Sequence, residues 1–556
     1  MTPAPESLAL EARGLTKRYG SLAAVDDVTF TMPQNAITGL LGRNGAGKTT
    51  LMRLITGQEF PTSGTVRLFG AKPVENAAVL QHTCFISEAQ RYPDEFRIKH
   101  VLAGAPRFFA NWDADFAAQL VDEFRLTPKQ RIKKLSRGQR SAIGVIVGLA
   151  SRAPLTIFDE PYLGLDAVAR QIFYDRLLAD YSEHPRTVIL STHLIDEVSQ
   201  LLEHALVIDQ GRIVIDAPVE ELRSSAATVS GTTEAVERFI AGREVAHREH
   251  LGGLLSATVA AMDDADRAAA RTAGLEVGPV SLQQLHRATH GRLHHPIHHH
   301  VRGGDSMTAL TADSLPTTAR PLGRRISTIM LLQLTNPMTL IGWPLMILGF
   351  IYVLNLAIYS LISTATEGAT AVGVNGGVGF IWVYTLVMAV QSVNQTFPLA
   401  LGFGATRRDY LLGTGALFTL LSAGYAALIA TLAMAERAVD YWGIGLRFFD
   451  SSPDFSWFEL FLGTFLLLLL FASVGGATAA VYVRWKASGM YVFWAGLVVL
   501  LVAVGFLLTW TESWGAVGEF FATAGVLGTL AWSLVISAIA ASAAYLILRK
   551  ATPTNT

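Results

Sequence analysis

The feature that most constrains the fold is a set of long apolar stretches in the second half of the chain. Of the 44 Lys and Arg and 45 Asp and Glu residues, only 15 lie between residues 330 and 548. Each stretch is long enough to cross about 30 Å of hydrocarbon as a helix. A soluble core would not need so many runs with so few internal charges. We therefore predict six transmembrane helices, at roughly 338–362, 377–403, 410–434, 457–482, 489–509 and 522–548.

The charges between these stretches predict their orientation. The outer loops would hold the basic residues Arg437 and Arg447 and are otherwise acidic. Because basic residues favour cytoplasmic loops, we predict a multi-pass protein of the cell (inner or plasma) membrane, with its N-terminal half and both termini in the cytoplasm. The predicted cytoplasmic basic residues are Arg320, Arg324, Arg325, Arg407, Arg408, Arg484, Lys486, Arg549 and Lys550.

Three further properties limit the class of protein. The first 20 residues contain no apolar core of a signal peptide. The single cysteine, Cys84, excludes an intramolecular disulfide. A net charge of −1 gives no indication of nucleic acid, and we expect no such partner.

A phosphate-binding motif lies in the first half. The apolar run at residues 36–40, AITGL, predicts a strand, and the glycine-rich LGRNGAGKTT after it leads into a helical pattern. Such glycines let backbone N–H groups turn towards phosphate oxygens at a helix N-terminus. Lys48 is expected to reach the β- and γ-phosphates, and Thr49 to ligate Mg²⁺. The predicted nucleotide-binding residues of this loop are Gly42, Asn44, Gly45, Gly47, Lys48, Thr49 and Thr50.

A second predicted strand, LTIFDE at residues 155–160, ends in two carboxylates. Paired acids at a strand end are often only a solvated turn, but here they accompany a phosphate loop. Mg²⁺ prefers hard oxygen ligands. We therefore expect Asp159 to hold Mg²⁺, directly or through water, and Glu160 to polarise the attacking water.

Further motifs give the sequence a resemblance to the ATP-binding-cassette (ABC) family. LSRGQ at residues 135–139 resembles the signature of that family, with Arg137 where glycine is commonest. GLD ends at Asp166, STH ends at His193, and Tyr19 lies where the family places an aromatic residue against adenine. All of these elements occur in the family order over residues 8–215.

The resemblance implies a mechanism in which two nucleotide domains enclose two ATP molecules. Each ATP would lie between the phosphate loop of one domain and the signature of the other, with Ser136, Gly138 and Gln139 as signature contacts. Asp166 would link the two sites, and Glu160, His193 and Lys48 would be catalytic. The chain carries one motif set, so a second copy is the expected partner; a heterodimer stays open.

One element departs from the family pattern. The family usually has a glutamine that contacts both Mg²⁺ and the membrane domain, whereas the aligned region reads CFISEAQRYPDEF. Alignment on YPD places Ser87 at that position, beside Glu88 and three residues before Gln90. Glu88 is either a metal or water ligand there or an ordinary exposed acid, and both readings stay open.

Two features of the apolar half suggest roles in transport. The loop GATRRDYL resembles the segment that docks on the nucleotide domain in type-2 ABC exporters, with Arg407, Arg408 and Asp409 as candidate contacts; the arginines could equally be topology anchors. In the second apolar stretch, Gln391, Asn394 and Gln395 share one helical face. They would line a path for cargo or form interhelical hydrogen bonds.

The boundary between the two halves contains HGRLHHPIHHHVRGGDSM at residues 290–307. Pro296 and Ile297 interrupt the histidines, which disfavours a purification tag, and proline disfavours the helix that would align them on a metal. A solvated joint fits better. The predicted domains are a cassette at 1–223, a small α/β appendage at 224–300, a linker at 301–325 and a permease at 326–556.

The sequence thus predicts an α/β P-loop nucleotide-binding domain followed by an all-α polytopic membrane domain. The expected function is that of a half-size, dimeric ABC exporter that uses ATP and Mg²⁺ to move a hydrophobic or amphipathic substrate out of the cytoplasm. Drugs, antibiotics, peptides and lipids all fit the uncharged fifth stretch. The alternative is a membrane ATPase that acts as a sensor or mechanotransmitter without cargo.

Overall fold

The computed structural model describes residues 8–552 apart from 89, 244, 261, 280–317, 366–372, 375 and 451. The histidine-containing stretch at 290–307 and most of the predicted linker at 301–325 lie outside the described residues. The linker prediction overlaps the first helix of the C-terminal region, which begins at Leu322.

The N-terminal α/β region is built on a mostly parallel sheet in the order β5-β6-β7-β3-β8-β9, in which β9 runs antiparallel to β8. Every residue of β3, β6 and β7 is buried, because helices cover both faces of such a sheet. A separate antiparallel sheet has the order β2-β1-β4. The strands are β1 (Leu8–Tyr19), β2 (Leu22–Pro33), β3 (Ile37–Leu41), β4 (Ser63–Leu68), β5 (Thr83–Ile86), β6 (Leu155–Asp159), β7 (Thr187–Thr192), β8 (His204–Asp209) and β9 (Arg212–Pro218).

The helices of this region follow the strands and place the predicted site residues at strand ends and helix starts. α1 begins directly at Lys48, and α5 follows the signature serine as its N-cap. The helices are α1 (Lys48–Ile55), α2 (Ala77–Leu80), α3 (Ile98–Gly104), α4 (Ala114–Glu123), α5 (Arg137–Ser151), α6 (Ala167–Glu183), α7 (Ile195–Val198) and α8 (Val219–Ser225).

The predicted appendage forms an antiparallel sheet with the order β11-β12-β10-β13. One of its helices buries Val236, Phe239 and Ile240 against the sheet, which is the amphipathic pattern expected of a helix packed on one face. Its elements are β10 (Ala226–Thr232), α9 (Thr233–Ile240), β11 (Val245–Leu251), β12 (Leu254–Ala260), α10 (Asp264–Thr272) and β13 (Glu276–Pro279).

The C-terminal region is mainly helical, with two short paired strands, and each predicted apolar stretch overlaps a helix; a π-helical turn, Met338–Gly342, leads directly into α12. Together with the α/β region, this confirms the predicted fold class. Its elements are α11 (Leu322–Gln333), α12 (Trp343–Ala365), β14 (Gly373–Val374), α13 (Gly379–Gly402), α14 (Arg407–Ala438), β15 (Leu446–Arg447), α15 (Trp457–Trp510) and α16 (Trp514–Leu548).

Within the described residues, four helices are long and apolar enough to cross a membrane: Met338–Ala365, Arg407–Ala438, Trp457–Trp510 and Trp514–Leu548. The predicted count of six spans is not confirmed by this measure. Two reasons account for the difference. Lys486, with φ 56° and ψ −148°, interrupts the 54-residue α15, so its two parts correspond to the fourth and fifth predicted stretches. The amide side chains of α13 make that helix less apolar.

The two regions meet at the loop between α13 and α14. Phe403 packs edge-on against Phe108 and Phe109, with ring centroids 5.5 and 5.3 Å apart. Gly404 has φ +83°, and a Cβ added there would lie 2.1 Å from the carbonyl oxygen of Leu80. Only glycine fits such a left-handed position so close to another backbone. The contact is therefore a built junction that includes backbone as well as side chains.

Candidate active site

The phosphate loop follows β3 and ends at the first residue of α1. Gly47 has φ +108°, and a Cβ there would lie 2.2 Å from the carbonyl oxygen of Ala24. Lys48 is 6% exposed, and its ammonium donates hydrogen bonds to the carbonyl oxygens of Gly42 (2.6 Å) and Arg43 (3.3 Å). The loop thus holds a buried ammonium at a helix N-terminus, an arrangement suited to phosphate.

The remaining predicted loop residues lie around this ammonium. Asn44 and Gly45 are exposed, and Gly45 has φ +84°. Thr49 and Thr50 are half-buried in the first turn of α1.

The acid pair lies at the end of β6, opposite α1. The Thr49 hydroxyl donates to Asp159 Oδ2 at 2.9 Å. Asp159 is 1% exposed, and its Oδ1 has no hydrogen-bond partner. Burial raises the pKa of this carboxyl to about 6, because removal from water disfavours the charged form. A hydroxyl and a carboxylate oxygen left unsatisfied are hard donors that fit Mg²⁺.

Glu160 and His193 form a second, directly hydrogen-bonded pair. Glu160 is 5% exposed, its Oε2 lies 2.7 Å from His193 Nδ1, and its Oε1 lies 3.3 Å from the Lys48 ammonium. Apart from this ion pair, Oε1 is buried and has no hydrogen-bond partner in the described structure. The three residues predicted to be catalytic are therefore brought together.

Tyr162, which was not among the predicted site residues, connects this pair to β7. Its hydroxyl donates to Glu160 Oε2, lies 2.6 Å from Thr192 Oγ1, and accepts the backbone N–H of His193 at 3.1 Å. Burial and the nearby Glu160 carboxylate raise the tyrosine pKa, so the phenol remains a donor. Its position two residues after Glu160 was the available signal.

The signature and the GLD turn pack against each other at the surface. Ser136 caps α5 by accepting the Gln139 N–H at 3.1 Å, and Gln139 returns a bond to the Ser136 N–H. A Cβ on Gly138 would lie 2.2 Å from the carbonyl oxygen of Gly164. Asp166 caps α6 and is exposed, as is Ser136. These side chains are accessible to a second cassette, as the resemblance implies.

Tyr19, expected to stack on adenine, is 46% exposed. Its hydroxyl donates to Glu59 Oε2 at 2.9 Å, and the Lys17 ammonium lies 5.0 Å from the ring centroid. Burial, followed by the Glu59 hydrogen bond, raises its pKa to about 12. The ring is thus fixed at its hydroxyl end, and adenine stacking remains a prediction that its exposure permits.

Glu88, predicted as a possible metal ligand, pairs with the signature residue Arg137 at 3.1 Å. Both side chains are largely exposed, at 42% and 63%, so the pair adds little stability. Gln90 instead faces the junction: its side chain would lie 3.7 Å from a Cβ on Gly402, and its Oε1 accepts the Ser87 hydroxyl at 3.2 Å. The glutamine three residues after the aligned position therefore reaches the helical region.

The docking prediction for GATRRDYL is confirmed for Arg407, which is 3% exposed. Its guanidinium donates to the carbonyl oxygens of Gly57 (2.9 Å), Gln58 (2.8 Å) and Ala551 (3.1 Å) and to Glu75 Oε1 (3.1 Å). Gly57 and Gln58 follow the C-cap residue, Thr56, of α1, the helix that begins in the phosphate loop.

Its two neighbours behave differently. Arg408 is exposed and contacts Glu75 through its backbone N–H at 3.2 Å. Asp409 pairs with Arg325 of α11 at 2.6 Å, within the helical region rather than with the α/β region.

Ser392, which lies next to the predicted polar face of α13, makes interhelical hydrogen bonds. The Ser392 hydroxyl donates to Gln333 Oε1 at 3.0 Å, and Gln333 Nε2 donates to Thr414 Oγ1 at 2.7 Å. These bonds join α13, α11 and α14, which is the interhelical function. On the other face, Gln391 is exposed and Asn394 Oδ1 is buried without a partner, so the path function of that face stays a prediction.

Comparison with known proteins agrees with this site. The ABC transporter family model matches residues 25–163. The chain is 32% identical over 223 residues to the Nod factor export ATP-binding protein I of Cupriavidus metallidurans, covering 39% of this chain and 73% of the relative. It is 30% identical over 247 residues to the aliphatic sulfonates import ATP-binding protein SsuB of Burkholderia ambifaria, covering 43% and 75%.

Another relative is the ABC transporter ATP-binding protein YtrB of Bacillus subtilis, 25% identical over 214 residues, covering 38% of this chain and 73% of the relative. Among solved structures, an ATP-binding subunit of an ABC transporter matches with a TM-score of 0.36 and 24% identity, over 39% of this chain and 92% of that one.

The chain belongs to the ABC transporter family. It combines an ATP-binding cassette with a C-terminal region of apolar, membrane-spanning helices, and it is an ATP hydrolase coupled to transport.

Proposed function

We propose that this protein is a half-size ABC exporter that uses ATP to move a hydrophobic or amphipathic substrate out of the cytoplasm. The observation that carries the proposal is the burial of Arg407, from a loop between two apolar helices, against the end of the helix that begins at Lys48. This contact supports a mechanical connection between the nucleotide site and the membrane helices.

The proposed chemistry assigns a task to each residue of the site. Lys48 and the loop N–H groups would bind the β- and γ-phosphates. Glu160 would accept a proton from the attacking water through Oε1, the oxygen that makes no hydrogen bond to His193 or Tyr162. His193, 2.7 Å from Oε2, would orient that carboxylate and contact the γ-phosphate. Tyr162 would fix the positions of Glu160 and His193 through its hydrogen bonds to both residues. Proton transfer by a positioned base of this kind contributes typically 10²–10⁴-fold to a rate.

Mg²⁺ is part of the proposal. Thr49 and Asp159 would hold it, and when bound it would neutralise charge on the β- and γ-phosphates. The unsatisfied Asp159 Oδ1 supports this assignment. Glu88 is a weaker candidate ligand because its carboxylate is already paired with Arg137.

A homodimer is proposed because the chain carries one motif set. The exposed Ser136, with Gly138 and Gln139, would meet the γ-phosphate bound to the partner, and the exposed Asp166 would join the two sites. ATP binding would then close two cassettes together, and hydrolysis would release them. A different partner chain could form the same two ATP sites. The composition of the purified dimer therefore distinguishes a homodimer from a heterodimer.

For the membrane region we propose six spans with the cassette and both termini in the cytoplasm. Lys486 would mark the turn between the fourth and fifth spans, consistent with its non-helical backbone. The proposed domains are 1–223, 224–300, 301–325 and 326–556, with the linker ending at or before Leu322, where α11 begins.

ATPase activity in lipid nanodiscs, measured across a panel of amphipathic compounds, tests the proposal, with Glu160→Gln as the blank. We expect the variant to bind ATP like the wild type and to lose nearly all turnover, because its amide cannot accept the proton. Stimulation of the wild type by one class of compound supports an exporter. Robust activity that ignores every compound supports a sensor, and wild-type turnover by Glu160→Gln refutes the assigned base.

A further inference from the structure

A cavity of about 510 Å³ lies between the first half of α12 and the C-terminal part of α14. Its volume is in the range of small-molecule sites. Apolar groups dominate its walls, and one wall contains a carboxylate. The lining residues that matter here are Leu348, Tyr352, Leu432, Glu436, Trp442 and Phe449.

The carboxylate, Glu436, is 2% exposed. Its Oε2 accepts the backbone N–H groups of Phe449 (2.8 Å) and Asp450 (3.1 Å). Its Oε1 is buried and has no hydrogen-bond partner. One half of the group therefore fixes the loop after α14, and the other half is a buried, unsatisfied acceptor on a residue that lines the cavity. A buried polar atom without a partner is costly, which makes this oxygen a feature that requires explanation.

No basic side chain of the described residues neutralises Glu436. The neighbouring Arg437 is committed elsewhere: it binds both carboxylate oxygens of Asp450 at 2.8 Å and donates to the carbonyl oxygens of Phe455 and Ser452 at 2.6 and 2.9 Å. The end of α14 and the loop after it thus contain one satisfied ion pair and one acidic side chain, Glu436, without a basic partner among the described residues. A buried negative charge without a partner is strongly unfavourable. A bound cation would therefore stabilise the ionised form of Glu436.

The walls add aromatic faces to this charge. Trp442 donates through Nε1 to the Tyr352 hydroxyl at 2.8 Å, and the Tyr352 and Phe449 rings lie 5.1 Å apart. Aromatic faces attract organic ammonium groups, and the leucines accept an apolar body. A carboxylate, three aromatic rings and an apolar wall are together complementary to a molecule with one positive charge on a greasy frame.

We propose that this cavity is a binding site for an amphipathic organic cation, in which a protonated amine donates a hydrogen bond to Glu436 Oε1 and the apolar part contacts the leucine and aromatic walls. Naming that cation as cargo rests on the proposed export function, but the binding itself does not. The Glu436 carboxylate would repel anions, and neutral compounds would not neutralise its charge.

Equilibrium dialysis of the full-length protein in nanodiscs, without ATP, tests the proposal against empty nanodiscs. The probes are 1-naphthylmethylammonium and its neutral counterpart 1-naphthalenemethanol, which share one apolar body. We expect the wild type to bind the ammonium roughly tenfold or more tightly than the alcohol, because hydrogen bonds to charged groups are the stronger ones. Equal binding of both probes would overturn the proposal and indicate an apolar cavity for lipid.

Two variants locate the site. Glu436→Gln keeps an acceptor oxygen for the two backbone N–H groups, and we expect it to lose the preference for the ammonium. Gly349→Leu fills the cavity from a position where an added Cβ meets nothing within 4 Å, and it should weaken both probes. This variant leaves the hydrogen bonds of Glu436 intact, so it tests the cation site even if Glu436→Gln does not fold.

The matched control is Glu459→Gln, which changes a carboxylate in the capping box of α15 that does not line the cavity; this variant should bind both probes like the wild type. Unchanged ammonium binding in Gly349→Leu, or in a folded Glu436→Gln, refutes the site. Because binding is measured without ATP, the result for the cation site does not depend on whether the protein is an exporter. Selective binding without transport contradicts only the export function, and transport with indifferent binding contradicts only the cation site.

Discussion

Replacing Arg407 with alanine should undock the helical region from the cassette. The side chain makes three hydrogen bonds to buried carbonyl oxygens and one to Glu75. Breaking a buried, charged set of this kind costs about 3–5 kcal/mol. At about 1.4 kcal/mol per factor of ten, the equilibrium between the docked and open junction should shift by roughly 10²- to 4 × 10³-fold.

Hydrogen exchange of the protein in nanodiscs measures this shift without knowledge of the cargo. Amides of the junction, in residues 57–59 and 403–409, should lose protection in Arg407→Ala, because local opening sets their exchange rate. ATP affinity should change little, since the eight residues of α1 separate the junction from Lys48 by about 12 Å at 1.5 Å per residue.

Arg408→Ala is the matched control, because it removes the same charge from the adjacent, exposed position. It should exchange like the wild type. The exchange rates in Arg407→Lys should lie between those of the wild type and Arg407→Ala, since one ammonium cannot reach all the acceptors that a planar guanidinium reaches. Equal exchange in Arg407→Ala and Arg408→Ala would refute the docking account, and loss of ATP binding in Arg407→Ala would show that the effect is not confined to the junction.

Three further predictions concern the cassette. Tyr162→Phe should lower kcat roughly 10- to 100-fold with ATP affinity unchanged, because removal of a hydrogen bond that orients a functional side chain typically lowers activity by that factor. A wild-type rate would show that the tyrosine contributes only packing. Gly138→Ala should destabilise the cassette by about 1–3 kcal/mol through overpacking and abolish ATP-dependent dimerisation, as thermal unfolding and light scattering would report; an alanine variant that dimerises normally would contradict the close approach to the GLD turn. Tyr19→Phe should retain ATP affinity, whereas Tyr19→Leu should weaken it roughly three- to tenfold by loss of stacking; equal affinity in both variants would exclude adenine stacking.

The nucleotide chemistry was accessible from sequence because it depends on local spacing. Gly42, Gly47 and Lys48 form their loop within seven residues, and LTIFDE carries both acids at the end of a single strand. Short motifs of this kind specify backbone geometry directly. The structure therefore brings Lys48, Glu160 and His193 together as expected, although they lie far apart in the chain.

The rest depended on tertiary contacts that local patterns do not encode. Arg407 and Arg408 are indistinguishable in sequence, yet only Arg407 enters a ring of carbonyl oxygens from two other segments. Glu88 could be a metal ligand or a surface acid by sequence, and its partner Arg137 lies 49 positions away. Tyr162 reads as an ordinary aromatic residue until β7 brings Thr192 to its hydroxyl.

The apolar half illustrates a different limit. Hydropathy locates the stretches, but the boundary between the fourth and fifth depends on one residue with an unusual backbone, Lys486. In sequence, Glu436 is one of several acids in the predicted outer loops, and its burial beside a cavity depends on how the loop after α14 folds back over that helix.

Transport by reconstituted protein tests the central claim most directly. Proteoliposomes with outward-facing cassettes would receive Mg-ATP and 1-naphthylmethylammonium outside, and the amount inside would be followed over time. We predict ATP-dependent accumulation in the lumen by the wild type and by Arg408→Ala, and none by Glu160→Gln or Arg407→Ala. ATP-dependent depletion of a preloaded lumen, or accumulation that persists in Glu160→Gln, would contradict an exporter driven by this cassette.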